Sequence, residues 1–354
     1  SFEYQSLKRE AEADKKLYEE LVRKIKEAGI NASFQNSSIR IADSARPAAK
    51  AVFPNFNLNI ALALLFSTML AVGAAIVSDA MDNTIRDPEQ VLRTLNTQVI
   101  GTLPVVKNWK GRLGSVAQNG STVALVALSE SNDHTNSYAE SIRTLRNTIL
   151  LSDFDRRLRS LLVTSASPGE GKSTIAAHLA ATHSQQQHRT LLIDGDLRRP
   201  SVHKRFGISS AIGLSNVLVG EIAWRDALVR PEGCEHLDVL PAGPPSRRAA
   251  DIIGRGLMEV LEEACLEYDL VILDAPPLLG FAEPLQMAIA VDGVVVVTRA
   301  GETNRKAVAA VLATLTRLRA NVMGLVLNQV HQEMSDSYYY YGNYGKYYRA
   351  NAKG

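Results

Sequence analysis

The chemistry this sequence can offer sits in one short loop and three aspartates. The run Ala166-Ser167-Pro168-Gly169-Glu170-Gly171-Lys172-Ser173-Thr174 places two glycines ahead of a Lys-Ser-Thr triplet. Small residues at such positions let backbone N–H groups close around phosphate oxygens, and a following helix adds the positive end of its dipole. This is a P-loop, with Ala166 where the first glycine usually stands. Ser167, Pro168, Gly169, Glu170, Gly171, Lys172, Ser173 and Thr174 are therefore the candidate nucleotide-binding residues. Lys172 suits the β- and γ-phosphates, and Ser173 suits a Mg²⁺ ion. Asp194 and Asp196 close the apolar run in LLIDGDLRRP, and Asp274 closes the one in LVILDAPP. One aspartate at a strand end is more often a turn former or a helix cap. Three beside one phosphate loop fit a Mg·ATP site, with Asp274 in the Walker B position and Ser173, Asp196 and Asp274 as the metal set.

These residues need a scaffold, and the pattern around them predicts one. Short apolar runs at 161–166, 190–196, 237–243, 270–276, 293–299 and 323–329 are rich in Val, Leu and Ile. Continuous runs of that kind read as parallel strands buried on both faces. Helical patterns separate them, so the expected fold class is α/β, a P-loop NTPase with a doubly wound, mostly parallel sheet. Ligands of such sheets bind beyond the carboxyl ends of the strands, where all three aspartates fall.

Upstream the texture differs. Residues 2–28 read as a helix with Tyr4, Leu7, Ala11, Asp14, Tyr18, Leu21, Ile25 and Ala28 on a heptad seam, stopped by Gly29 and Asn31. A coiled-coil end and an ordinary amphipathic helix both fit. No charged residue occurs from Ala51 to Ser78, and Leu58–Val77 is a 20-residue apolar stretch. At about 1.5 Å per residue it covers about 30 Å, the thickness of a bilayer core. The basic residues on its two sides do not orient it. DPEQVLRTL reads as a short helix in an otherwise linker-like stretch. The expected organisation is a coiled-coil or stem end at 1–50, a transmembrane helix at 51–80, a juxtamembrane linker at 81–120, a P-loop domain at 121–335 and a tyrosine-rich tail at 336–354.

Composition narrows the classes. With 46 % hydrophobic and 21 % charged residues, the chain is neither disordered, collagen-like nor a many-span membrane protein. A net charge of +2 gives no electrostatic case for nucleic acid. Cys234 and Cys265 alone make neither a disulfide framework nor a cysteine zinc site. The start at Ser1, inside a helical pattern, reads as the C-terminal piece of a longer chain. His178, His183 and His188 read as surface histidines, and Arg198, Arg199, Lys204 and Arg205 as solvated or interface charges.

ASPGEGKST, LLIDGDLRRP and VILDAPP together resemble the bacterial tyrosine kinases, or BY-kinases, which relate to the MinD/ParA-like P-loop ATPases. Where those ATPases carry an extra signature lysine, this chain has Ser167. Glu140, Arg143 and Arg146 in YAESIRTLRN match the family's E-x-x-R-x-x-R oligomerisation motif. By spacing alone they fit a solvated helix face with one internal ion pair equally well. Tyr338, Tyr339, Tyr340, Tyr341, Tyr344, Tyr347 and Tyr348 are seven of the chain's 11 tyrosines and match the family's phosphoacceptor tail. The apolar helix and the following DNTIRDPEQV…IGTLP resemble the last span of polysaccharide co-polymerases.

The resemblance implies an inner-membrane autokinase, residues 1–57 periplasmic and 79–354 cytoplasmic. It would use ATP and Mg²⁺ to phosphorylate C-terminal tyrosines of neighbours in a ring-like homo-oligomer, regulating capsular or exopolysaccharide polymerisation and export. Implied partners are a cognate low-molecular-weight tyrosine phosphatase, a polysaccharide polymerase and an outer-membrane export protein. Lys172, Asp194 and Asp196 become the catalytic set. Asp194 is, by analogy, the acceptor of the tyrosine proton, although the sequence does not separate it from Asp196. The rivals are a membrane ATPase switch without kinase activity and a scaffold with a vestigial site.

Overall fold

The computed structural model describes residues 2–34, 53–86, 88–106, 133–152 and 158–330. The chain divides into two units, Ser1–Val77 and Ser78–Gly354.

The first unit is helical. Helix α1, Phe2–Phe34, runs 33 residues, past the predicted stop at Gly29. A glycine inside a helix costs only about 1 kcal/mol, and no proline follows to enforce an end. The apolar seam residues Tyr4, Leu7, Tyr18, Leu21 and Ile25 are all exposed. Helix α2, Phe56–Met81, has 26 residues, none of them buried. Its apolar window has a mean hydropathy of 2.5, so it is long and apolar enough to cross a membrane. Ser67 and Thr68 hand their hydroxyls to the Leu64 carbonyl at 3.0 and 2.7 Å, so they carry no unsatisfied donor into that surface.

The second unit is built on a seven-stranded sheet. A short helix α3 (Pro88–Leu95) leads to β1 (Val99–Pro104), and α4 (Asp133–Leu151) leads to β2 (Ser160–Ser165). Then come α5 (Lys172–Ser184), β3 (Thr190–Asp194), α6 (Val202–Phe206), α7 (Leu214–Leu218) and a 3₁₀ turn at Trp224–Ala227. The chain continues through β4 (Leu237–Leu240), α8 (Ala249–Glu267), β5 (Leu270–Asp274) and α9 (Glu283–Ala290). It closes with β6 (Gly293–Arg299), α10 (Arg305–Arg317) and β7 (Val322–Val330). The order is β1-β7-β6-β2-β5-β3-β4, and every pairing is parallel.

Six strands lie where the apolar runs predict them. The seventh, β1, falls in the stretch read as linker. Its six residues pair with β7 at the sheet edge, and Leu103 is fully buried. Gly101 lets α4 lie close, because a Cβ on it would stand 2.7 Å from the Leu145 Cδ1 and push that side chain aside.

Alternate strand residues feed two cores. Leu161 and Val163 pack with α4 and α5, through Ile142, Leu145, Ile175 and Leu179. Leu162, Leu191 and Ile193 pack on the other face with α8, α9 and α10, through Leu257, Met287, Val308 and Leu315. This double covering lets the strands be apolar throughout, and it gathers their carboxyl ends around one crevice.

Candidate active site

The P-loop follows β2 directly and runs into the first turn of α5. Gly169 and Gly171 have φ values of 86° and 100°, in the left-handed region that side chains disfavour. At Gly171 a Cβ would also lie 2.2 Å from Asn328 Nδ2. The Asn328 amide donates to the Glu170 carbonyl at 2.9 Å, so the end of β7 braces the loop.

Lys172 projects from the start of α5 toward the strand ends. Its ammonium donates to Ser173 Oγ and Asp196 Oδ2, both at 3.1 Å, and lies 3.8 Å from Asp274 Oδ1. Burial alone would lower its pKa, but Asp274 and then Asp196 outweigh burial and hold it above the ordinary value. Asp194 and Asp274 sit side by side in register at the ends of β3 and β5. Burial pushes both carboxyls up, Asp194 further through the neighbouring Asp274 charge, while Lys172 works in the opposite direction on Asp274.

The two aspartates of the second motif have different surroundings. Asp194 is fully buried, and its oxygens accept backbone N–H groups from Asp196, Ser201 and Val202 at 3.2, 3.1 and 3.0 Å. It organises the turn into α6. Asp196 holds the Arg199 amide with Oδ1 and the Lys172 ammonium with Oδ2.

Both oxygens of Asp274 are buried without a hydrogen-bond partner among the described residues. A buried carboxylate that faces the Lys172 ammonium and the Ser173 hydroxyl is a hard oxygen donor set that suits Mg²⁺. Among the described residues there is no self-contained cluster of three or more His, Cys, Asp or Glu for a metal.

Several residues stand apart from their sequence readings. The Glu170 side chain folds back and takes the Ser167 amide at 3.0 Å and the Thr303 hydroxyl at 2.7 Å, so it shapes the loop from within. Arg205, read as a solvated or interface charge, is half-buried and donates to Thr174 Oγ1 and the Ser201 carbonyl, joining α6 to the P-loop helix. Arg198 pairs with the buried Glu283 and lies over the Phe281 ring. His178 and His183 are buried, not surface residues, because α4 lies across α5. His178 Nδ1 meets Tyr138 Oη at 2.9 Å, and burial drops its pKa to about 3. Thr303, Asn328, Glu283 and Arg205 carry no motif of their own. Only their positions at loop and strand ends beside the P-loop could have marked them.

The oligomerisation triplet splits. Glu140 and Arg143 are exposed and pair at 3.0 Å. Arg146 is buried, donating to His183 Nδ1 at 3.0 Å and Asn147 Oδ1 at 3.1 Å. At 100° per residue, position i+6 points about 120° away from position i, so the three cannot share one face. The tyrosines at 338–348 lie outside the described residues.

A family model of the ParA type, described as NUBPL iron-transfer P-loop NTPase, matches residues 158–351. A second, GNVR, described as "G-rich domain on putative tyrosine kinase", matches residues 3–80. Tyrosine-protein kinase YwqD of Bacillus subtilis is 37 % identical over 205 residues, which is 58 % of this chain and 86 % of YwqD. Tyrosine-protein kinase Etk of Escherichia coli is 29 % identical over 343 residues, 94 % of this chain but 47 % of Etk, so the chain spans about half the length of that relative. The solved kinase domain of Escherichia coli Etk superimposes with a TM-score of 0.64 and 28 % identity, covering 72 % of this chain and 98 % of that domain. A P-loop opposite three aspartates on an all-parallel sheet, with these relatives, means that the chain belongs to the ParA-type P-loop NTPases and, among them, to the bacterial tyrosine-protein kinases.

Proposed function

We propose that this chain moves the γ-phosphoryl group of ATP, with Mg²⁺, onto tyrosines at 338–348 of a neighbouring copy. The observation that carries this reading is the Lys172 ammonium, held between Ser173, Asp196 and Asp274 at the mouth of the P-loop. Phosphoryl transfer asks a protein mainly to position groups and to neutralise charge.

Lys172 turns from the carboxylates to the β- and γ-phosphates, and the loop amides close on the same oxygens. Ser173 and Asp274 would hold the metal, which would offset phosphate charge, and Asp196 is left free of it. The tyrosine oxygen forms the new bond to phosphorus, and the bond to the ADP oxygen breaks. The tyrosine proton passes to a carboxylate. Asp196, which Lys172 releases, is the carboxylate a hydroxyl can reach, whereas Asp194 is occupied by three backbone amides. A free tyrosine has a pKa near 10, so such a carboxylate must orient and deprotonate it.

The chain works from a membrane in this reading: α2 spans the inner membrane, residues 1–57 are periplasmic and 79–354 cytoplasmic. The assembly is a homo-oligomer, and phosphorylation of the tail regulates capsular or exopolysaccharide polymerisation and export. A low-molecular-weight phosphatase, the polymerase and an outer-membrane export protein are its partners. The tyrosine-protein kinase names of Etk and YwqD and the match to the GNVR model support the kinase part of this reading.

The test mixes a Lys172→Met chain that keeps its tail with an active chain ending at residue 335, and supplies ATP labelled at the γ-phosphate. Label on the Lys172→Met chain supports transfer between copies. Label released only as inorganic phosphate marks an ATPase switch, and no turnover marks a vestigial site; either result overturns the proposal.

A further inference from the structure

The Glu170 carboxylate lies in the P-loop yet points away from any phosphate. It is 4 % exposed and accepts two hydrogen bonds, one from inside the loop (Ser167 N–H) and one from Thr303 on the connection between β6 and α10. Burial holds its carboxyl above the usual range. A buried carboxylate needs both oxygens satisfied, and Thr303 supplies the second partner. Thr303 is itself held firmly. Its hydroxyl oxygen accepts the Arg299 amide at 2.8 Å, its amide reaches the Arg299 carbonyl at 3.0 Å, and it is 5 % exposed.

The carbonyl of Thr303 has a partner of another origin. It accepts the Ile85 amide at 3.0 Å, while the Ile85 carbonyl takes the Gly301 amide at 2.8 Å. Thr84 and Asn304 form an antiparallel bridge, and the Arg305 amide donates to the Asn83 carbonyl at 2.8 Å. Ile85 anchors this strap by burying its side chain, and Asp82 Oδ1 caps the Thr84 amide at 2.8 Å. The strap begins one residue after the end of the apolar helix at Met81. Three residues, 82–84, thus separate that helix from the Ile85 amide bonded to Thr303, and Thr303 touches the phosphate loop.

We infer that Thr303 and Glu170 are positioning residues for phosphate binding, and that the strap Asp82–Arg86 sets the affinity of the P-loop for nucleotide by fixing Thr303. Glu170 touches no reacting atom in this arrangement. It decides whether the amides of residues 169–172 converge before the ligand arrives, so its loss is felt as loop ordering that nucleotide must then drive. The inference rests on the nucleotide reading above.

The experiment uses the full chain in lipid nanodiscs and a fluorescent ATP analogue with Mg²⁺ as the probe. Thr303→Val keeps the shape and removes the hydroxyl. The change removes a charge-assisted bond to Glu170 and the bond from the Arg299 amide, so about 10-fold weaker binding of the analogue is expected. The KM for ATP should rise by a similar factor, with kcat changed far less. Thr303→Ser restores the donor and should restore affinity. Ile85→Pro removes the amide that holds the Thr303 carbonyl. It should weaken binding to a similar degree, and the double variant should be no weaker than the weaker single one, since both act through one contact. Thermal unfolding without nucleotide identifies which variants are folded. A folded Thr303→Val chain with unchanged affinity overturns the inference, as do strap and threonine losses that simply add. If the wild-type chain itself fails to bind the analogue, the nucleotide reading falls.

Discussion

Arg146 Nε donates to His183 Nδ1 across 3.0 Å, joining the helix of the E-x-x-R-x-x-R motif to the last turn of the P-loop helix. Arg143, one turn earlier, is exposed and among the described residues meets only Glu140. The two arginines of one motif therefore do different things within a single copy. Arg146→Ala strips a buried neighbour from His183, and a loss of about 1–3 kcal/mol in stability is expected. Arg143→Ala should change stability by less than about 0.5 kcal/mol, since exposed i,i+3 pairs contribute little. If Arg143 faces a neighbouring copy, its variant lowers the particle mass in light scattering while the melting temperature stays. Equal effects of the two variants on both readings would refute the division.

Lys172 shows a second consequence of burial. Lys172→Met removes the ammonium from Asp196 and from the buried Asp274. Tail labelling should drop at least about 10²-fold, the usual cost of losing one charge-stabilising donor. The variant should also melt earlier without metal, because a buried carboxylate loses its counter-charge. Mg²⁺ alone should then raise its melting temperature more than that of the wild-type chain. Equal responses to Mg²⁺ would mean that Asp274 does not hold the metal.

His178 makes stability depend on pH with a definite sign. Its folded pKa is about 3, below the unfolded value near 6.5, because it is buried. Protons therefore bind the unfolded chain first, and stability is lost as pH falls from about 6.5 toward 3. The slope is about 1.4 kcal/mol per pH unit for this one residue. Asp194 and Asp274 act oppositely, since their raised folded values let the native state take up protons. The informative quantity is thus the difference between the wild-type chain and His178→Gln. Denaturation followed by tryptophan fluorescence at pH 4 to 6 should show that difference shrinking by about 1.4 kcal/mol per unit as pH falls. Parallel curves would mean that His178 does not set the slope.

The sheet was legible because six of its strands are unbroken apolar runs, and the site because a P-loop needs glycine and lysine at fixed spacing. What stayed hidden depends on long-range contact. β1 is short and carries Gly101, and only its pairing with β7 and the crossing of α4 make it a strand. His178 and His183 look polar in the sequence, yet α4 covers them through Tyr138 and Arg146. Glu170 looks like one more loop residue until Thr303, far along the chain, is seen to hold it. Helix α1 ran past its predicted end because one glycine is a weak stop without further capping partners.

Asp194 and Asp196 stand two residues apart, and the structure gives them separate tasks. Asp194→Asn replaces one oxygen with an NH₂ group that cannot accept the amides of Ser201, Val202 or Asp196. The turn into α6 should loosen, with a loss of about 1–3 kcal/mol and weaker nucleotide binding, since Arg205 of α6 holds Thr174. Asp196→Asn keeps the Arg199 amide bond available and removes only the charge that faces Lys172. Its melting temperature should stay near the wild-type value, while the rate of tyrosine labelling at saturating ATP falls about 10²- to 10⁴-fold, as for loss of a general base. The two are separated by measuring unfolding, nucleotide affinity and single-turnover labelling on the same samples. A fully stable Asp194→Asn chain that binds nucleotide normally and cannot label the tail would reverse the assignment and make Asp194 the proton acceptor.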